Sequence, residues 1–162
     1  MRRADFEQLY EAQARPLLNF LHYRTGDRDL AEDLLADTFE RVLRAQHRFN
    51  ARRGSEKTWL YTIALNVLRD HLRHAEVGQR ALAQVAASRP AHEAQEALEA
   101  AEERDAVHRA LTVLSLEERE TIALRYGADL TVDEIARVTR EKPSTIHGRV
   151  YRSLRKLKER LD

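Results

Sequence analysis

Hydrophobic positions recur every three or four residues through most of the chain, which is the spacing of an amphipathic helix. The first turn signal is Gly26, where a helix that begins near Arg3 is expected to end, and Pro16 is expected to kink or restart that helix. Runs of β-branched residues are absent, and no convincing strand is predicted. The pattern therefore predicts an all-α fold, whose amino-terminal helices cover about residues 3–24, 27–48 and 56–74.

The third of these helices has one strongly apolar side. Trp59 and Ile63 belong to a stripe that continues to Leu72, and this stripe is predicted to be buried. Tyr61 lies off the stripe and is predicted to face away from the core. Ser55 immediately precedes the helix and suits its cap, because its hydroxyl can accept from a free backbone N–H.

The helical pattern weakens over residues 76–92, which are rich in alanine and contain Gly78, Pro90 and few large apolar side chains. Such a composition favours a linker, in this case one that is partly helical. Helical spacing resumes immediately afterwards. We therefore predict two small helical domains, over residues 1–75 and 93–162, joined by a linker over residues 76–92.

The carboxy-terminal domain ends in two predicted helices that meet at a tight corner. A T-x-x-E capping box at Thr131 opens the first helix, and Pro143 suits the first turn of the second. A similar box at Ser115 opens the preceding helix, which Gly127 closes. A short helix, a tight turn and a basic amphipathic helix form the helix-turn-helix layout, whose second helix lies in the DNA major groove. The stripe predicted to be buried on the last helix is Ile146, Val150, Leu154, Leu157 and Leu161.

This segment also carries the excess positive charge of the chain. From Arg140 to Asp162 there are eight Lys or Arg against three Asp or Glu, although the whole chain has a net charge of only +1. The corner, Thr139 to Lys142, lacks the glycine and the apolar residue that many such corners have. DNA binding is the favoured interpretation, and a helical hairpin with a solvated basic face is the alternative.

Composition and motifs limit the other functional classes. The absence of Cys excludes disulfides, Cys-based zinc sites and thiol chemistry. No apolar run approaches the roughly 18 residues of a membrane span, and the amino terminus lacks a signal-peptide core, so a cytoplasmic protein without membrane insertion is expected. His71 and His74 are interpreted as a surface pair rather than a metal site. With no phosphate-binding loop and no G-x-S-x-G motif, we predict a non-enzyme without catalytic residues, metal or cofactor.

Four stretches resemble, in order, the extracytoplasmic-function (ECF) sigma factors of bacterial RNA polymerase. They are AEDLLADTFERVL (Ala31 to Leu43), TWLYTIALNVLRDHLR (Thr58 to Arg73), LSLEERETIALRY (Leu114 to Tyr126) and LTVDEIARV followed by STIHGRVYRSLRKLK (Leu130 to Val138, Ser144 to Lys158). The resemblance implies a sigma region 2-like domain over residues 1–75 and a region 4-like domain over residues 93–162. It further implies a protein that binds polymerase core and directs promoter-specific initiation.

The resemblance also assigns site residues. Docking on the clamp helices of the β′ subunit is expected to involve Asp33, Leu34, Asp37, Phe39 and Val42. The −10 element is expected to meet Arg52, Arg53, Lys57, Trp59, Tyr61, Asn66, Asp70 and Arg73. Cations and aromatic rings beside each other are also the usual surface for single-stranded nucleic acid. The −35 element is expected to meet Ser144, Thr145, His147, Gly148, Arg149, Arg152 and Arg155, in a domain that also contacts the β flap.

Three departures from the family pattern affect these sites. Ala36 stands where the docking motif commonly has Gln, Leu65 stands where a basic residue commonly precedes the Asn, and Arg140 replaces the usual corner Gly. The expected partners are polymerase core, promoter DNA and, if one exists, an anti-sigma factor. The alternatives are a stand-alone helix-turn-helix regulator that binds duplex DNA without polymerase, and an interaction protein that does not read DNA.

Overall fold

The computed structural model describes residues 1–82 and 109–162, and within these ranges all regular structure is helical. A 3₁₀ turn, Gln46–Arg48, follows the second helix, and a π-helical turn, Ala123–Gly127, continues the fourth. The predicted all-α fold is confirmed. The helices are α1 (Arg3–Thr25), α2 (Arg28–Ala45), α3 (Glu56–Leu82), α4 (Leu116–Ile122), α5 (Val132–Thr139) and α6 (Pro143–Leu161).

Most helix ends lie where the capping signals predict them. Gly26 ends α1 in the left-handed conformation at φ 68°, and the Asp27 carboxylate opens α2 by accepting from the backbone of Leu30. The boxes at Ser115 and Thr131 form as expected, each with the glutamate three residues later. These interactions are local, which explains why the sequence alone locates them.

Two helices differ from their predicted extent. The first runs without interruption through Pro16, although a proline in a helix interior removes one backbone hydrogen bond. Leu17, Phe20 and Leu21 follow it and are fully buried, so tertiary packing holds this turn in place. The third helix continues beyond residue 74 to Leu82. The structure does not describe residues 83–108, so the rest of the predicted linker and the start of the helical segment predicted from residue 93 lie outside the described residues.

The core of the amino-terminal half forms where α1, α2 and α3 meet. Phe20 of α1 packs edge-on against Tyr61 of α3, with ring centroids 6.1 Å apart. The prediction that Tyr61 faces away from the core is wrong, because its side chain is fully buried. The prediction from a single apolar stripe assumes that the helix packs against only one neighbouring element. The third helix contacts α1, α2 and α5, so a wider arc of its surface is covered.

The two halves of the chain pack against each other. The first helix contacts the π-helical turn, and α3 contacts α5. The apolar cluster of the amino-terminal half continues into Leu124, Leu130 and Ile135, all of which are fully buried. The predicted division into two domains therefore coexists here with one continuous apolar cluster.

The buried face of α6 differs from its predicted stripe. Ile146 is fully buried as expected, but Leu154 and Leu161 are exposed. Arg149 and Ser153 are buried instead, and together with Ile146 they follow the same three- and four-residue spacing. The face that packs on α4 and α5 is therefore displaced by one position from the apolar stripe.

Candidate nucleic-acid interface

The exposed side of α6 carries most of the residues predicted to meet the −35 element. Pro143 occupies the first turn, so the helix begins immediately after the corner. The members of the predicted set that are exposed are Ser144, Thr145, His147, Arg152 and Arg155.

Arg149 is placed differently from the rest of that set. Its guanidinium donates to both carboxylate oxygens of Glu141, at 2.9 and 2.7 Å, and to Thr121 Oγ1 at 3.3 Å. Glu117 Oε2 lies 3.6 Å from the same group. The hydrogen bonds from Arg149 hold the pKa of the Glu141 carboxyl below its usual range, and Glu141 raises the pKa of Arg149. The structure thus directs this side chain into the fold rather than onto the exposed side of α6.

Gly148 is half-buried beneath the side chain of Arg152. A Cβ added at residue 148 would lie 3.2 Å from Arg152 Nη1, so the absence of a side chain lets the guanidinium lie across the helix at this point. The position has no left-handed backbone requirement. Glycine at residue 148 therefore makes room for the Arg152 side chain and is not required by the backbone conformation.

Gly148→Ala is expected to raise the free energy of unfolding by about 0.5–1 kcal/mol, because glycine in a helix interior loses more conformational freedom on folding than alanine. The end of the flexible Arg152 side chain can move away from the new methyl group. Urea unfolding followed by circular dichroism would measure the change. Gly26→Ala is the matched control with the opposite sign, since φ there is 68°. A loss of stability at residue 148 would show that Arg152 is held rigidly.

A second basic surface runs along α3 and the loop before it. Asn66 and Arg73 are exposed, while Trp59 is half-buried with its ring centroid 5.4 Å from that of Phe49. Asp70 is engaged on the helix surface by Arg73 and by Arg41 of α2, the latter at 3.5 Å. The structure therefore leaves an amide, a cation and part of an indole ring available on this side of α3.

The loop between α2 and α3 lines an open cavity of about 620 Å³. Its walls include Phe49, Arg52, Arg53 and Gly54 from the loop and Arg137 from α5. The two loop guanidinium groups beside an aromatic ring suit a nucleic-acid phosphate and its base, whereas Arg137 reaches the cavity only in this packed arrangement. Arg137 is not among the predicted site residues, and no local pattern indicates it, because only the packing of α5 on α3 brings it to the loop.

The outer face of α2 is acidic. Asp33 is exposed, and Asp37 is partly exposed and pairs with Arg41 at 3.3 Å. The other three predicted docking residues, Leu34, Phe39 and Val42, are buried in the core. Leu43, near the end of the same helix, is 45% exposed. The predicted docking motif thus divides into a core part and a surface part.

Polar contacts join the two halves close to the α3 surface. Glu120 of α4 accepts from Arg24 of α1 and from Arg69 of α3, each at 3.2 Å. Lys57 Nζ donates to the backbone oxygen of Asp129 at 2.9 Å. Lys57 belongs to the predicted −10 set, so the carboxy-terminal half engages one edge of that surface in this arrangement.

Among residues 1–82 and 109–162, no group of three or more His, Cys, Asp or Glu side chains is arranged to hold a metal ion. None of the helices in these ranges is both long enough and apolar enough to cross a bilayer.

Comparison with known sequences gives matches along both halves. Sigma-70 region 2 matches residues 9–77, and Sigma-70, region 4 matches residues 104–157. The ECF RNA polymerase sigma factor SigX of Bacillus subtilis is 31% identical over 163 residues, which cover 97% of this chain and 84% of SigX. The ECF RNA polymerase sigma factor BldN of Streptomyces coelicolor is 31% identical over 158 residues, but this chain spans only 58% of its length.

Two solved structures share the fold. The sigma factor RpoE, solved in complex with the anti-sigma factor NepR from Bartonella quintana, superposes with a TM-score of 0.76 at 27% identity, over 97% of this chain and 96% of that one. CnrH, solved in complex with the cytosolic domain of CnrY, superposes with a TM-score of 0.74 at 24% identity, over 99% and 90% of the two chains. The likeness to CnrH concerns the fold alone.

Proposed function

Because the chain belongs to the ECF RNA polymerase sigma factors, we propose that it binds polymerase core and directs it to promoters by contacting a −10 and a −35 element. The observation that carries this proposal is the presence of two cationic surfaces in one chain. One is the exposed side of α6 with Arg152 and Arg155, and the other is the loop cavity with Arg52 and Arg53 beside α3. The polymerase performs the chemistry, in the cytoplasm, and this chain contributes binding energy that selects the start site.

The −35 element is assigned to α6 because a helix that follows a helix-turn-helix corner fits the major groove. An arginine there can make a bidentate contact to guanine, worth about 1–3 kcal/mol of discrimination. The −10 element is assigned to the loop and α3, where unpaired bases can stack on aromatic rings and phosphates can meet guanidinium groups. Both sets of contacts should weaken as the salt concentration rises.

The outer face of α2 is proposed as the polymerase-docking surface. Asp33 and Asp37 would meet a basic partner surface, while Leu34, Phe39 and Val42 hold the helix in place from the core side. The exposed side chain of Leu43 extends this face with an apolar contact. Charge complementarity of this kind contributes both to the association rate and to orientation.

Asp33→Arg is expected to weaken binding to polymerase core by about tenfold or more, because a like charge at a complementary interface costs several kcal/mol. Titration of the fluorescently labelled chain with sigma-free core would give the dissociation constant. The matched control is Asp133→Arg, which makes the same charge change at an exposed position on α5. Equal binding by the Asp33 variant and the unaltered chain would place the docking surface elsewhere.

The complete function can be tested with sigma-free core and a random promoter library. Stoichiometric binding to core, followed by selection of two spaced sequence elements, is the expected result. Tight binding of the isolated chain to duplex DNA, without binding to core, would instead favour a stand-alone helix-turn-helix regulator.

The packed arrangement of the two halves is proposed to be a resting form. Contact with two separate promoter elements requires each half to meet its own DNA segment, whereas here Lys57 and Arg69 are engaged by the other half. We infer that the halves separate when the chain binds core and promoter. RpoE and CnrH were solved with partner proteins bound, RpoE with an anti-sigma factor. A protein of that class is the regulatory partner we propose for this chain.

A further inference from the structure

The corner between α5 and α6 is closed without the usual glycine. Arg140 adopts the left-handed conformation, with φ 59° and ψ 36°, which is unfavourable for a residue that has a Cβ. The backbone nitrogen of Glu141 donates to the oxygen of Ala136 at 3.0 Å, so the chain turns sharply at this point. Because residues 139–142 are all polar, apolar packing within the corner cannot be what fixes it.

An ion pair spans this corner instead. Arg149, in the second turn of α6, makes two parallel hydrogen bonds to the Glu141 carboxylate. The same guanidinium reaches Thr121 and approaches Glu117, both on α4. Only 11% of the Arg149 side chain is exposed. One side chain therefore connects α6 to the corner that precedes it and to the helix beneath it.

We propose that Arg149 and Glu141, here called the corner staple, set the orientation of α6 and thereby determine which −35 sequences its exposed side chains prefer. This inference rests on the proposed function of α6. It assigns Arg149 a positioning role, in contrast to the direct DNA contact that the family resemblance implies. Arg152 and Arg155, on the exposed side, remain the residues that touch DNA.

The geometry explains why orientation depends on this pair. Two parallel bonds between a planar guanidinium and a planar carboxylate constrain rotation as well as distance, which a single point contact does not. Arg149 is next to Gly148 and less than one turn from Arg152, so a small rotation of α6 at the pair moves the Arg152 guanidinium directly. Two carboxylates near Arg149 also neutralise its charge, leaving little attraction for a phosphate.

Positioning and direct contact predict opposite results for Glu141→Gln. A glutamine has nearly the same volume but cannot hold the guanidinium as a charged, bidentate partner. If Arg149 contacts DNA, releasing it should leave DNA binding unchanged or strengthen it. If the pair orients α6, discrimination between −35 sequences should fall. Arg149→Lys is the second variant, because lysine keeps the charge and loses the planar fork.

The experiment uses holoenzyme assembled from core and the full chain, with promoters that carry the selected −35 element or single-base variants of it. Both variants are expected to lower the ratio of transcription from the selected promoter to transcription from an altered promoter by roughly tenfold. This is about the effect of losing one bidentate contact to a base. The double variant should lose no more than either single variant, because all three lack the same pair. Arg160→Lys and Asp133→Asn, at exposed positions, are the matched controls.

The transcription ratio distinguishes a change in the orientation of α6 from a loss of folding stability. A partly unfolded population lowers transcription from all promoters equally and leaves the ratio unchanged, whereas a rotated helix changes the ratio. The proposal is overturned if Glu141→Gln preserves or raises discrimination, or if both single variants unfold the carboxy-terminal half. If the unaltered holoenzyme selects no −35 element at all, the proposed function of α6 fails instead, and that result is recognisable before any variant is made.

Discussion

Glu120→Arg is expected to separate the two halves of the chain. The carboxylate of Glu120 lies 3.2 Å from both Arg24 and Arg69, so the substitution would bring three guanidinium groups together. The side chains of Glu120 and Arg24 are only 15% and 12% exposed, which limits screening by water. Breaking a buried pair costs on the order of 3 kcal/mol, which corresponds to a shift of about a hundredfold in the equilibrium between packed and separated forms.

A distance measurement would test this directly. The natural chain contains no Cys, so cysteines introduced at the exposed positions Glu11 and Arg160 would be the only labelling sites. Paired spin labels or fluorophores should report one narrow distance distribution in the otherwise unaltered chain and a longer, broader distribution in the Glu120 variant. Asp133→Arg is the control for added positive charge. Arg24→Glu combined with Glu120→Arg should restore part of the narrow distribution, because it rebuilds the pair between residues 24 and 120.

An unchanged distance in the Glu120 variant would have a clear meaning. It would show that the apolar contacts of Leu124, Leu130 and Ile135 hold the halves together without the ion pairs. A longer distance accompanied by stronger binding of single-stranded −10 DNA would support the resting-form proposal, because Lys57 and Arg69 would then be free to meet the nucleic acid.

Local features of this fold could be predicted from the sequence, because the interactions that cause them are local. Thr131 and Glu134 are three residues apart and cap α5 wherever that helix is placed. Pro143 favours the first turn of a helix through its own fixed φ. The boundaries of α5 and the start of α6 follow from these residues, as does the existence of the corner.

Features that depend on tertiary approach could not be predicted. Periodicity identifies Arg149 as one of several arginines around a basic helix, but its ion pair requires the corner and α4 to be in place. Arg137 becomes part of the loop cavity only because α5 packs on α3. The packing of the two halves against each other could not be predicted for the same reason. The weak helical pattern over residues 76–92 does not indicate whether the segments on either side of it contact each other.

Tyr61 is where sequence pattern and structure disagree most, and Tyr61→Ala is expected to lower the free energy of unfolding by about 3–5 kcal/mol. The ring is fully buried against Phe20, so truncation leaves a cavity in the core that joins α1 to α3. Burial also raises the pKa of the phenol far above its usual range. Its hydroxyl finds no hydrogen-bond partner among residues 1–82 and 109–162, so Tyr61→Phe should be neutral or stabilising by about 1–3 kcal/mol.

Urea unfolding of both Tyr61 variants, with Tyr10→Ala as the control at a half-exposed aromatic residue, would measure these values. Transcription by the Tyr61→Phe holoenzyme should equal that of the unaltered one, because a residue in the core acts on promoter opening only by supporting α3. If Tyr61→Ala instead keeps full stability and loses only −10 recognition, the ring must leave the core to stack on a base. Separation of the halves would then have to rearrange α3 as well as uncover it, since α5 packs on this helix in the resting form.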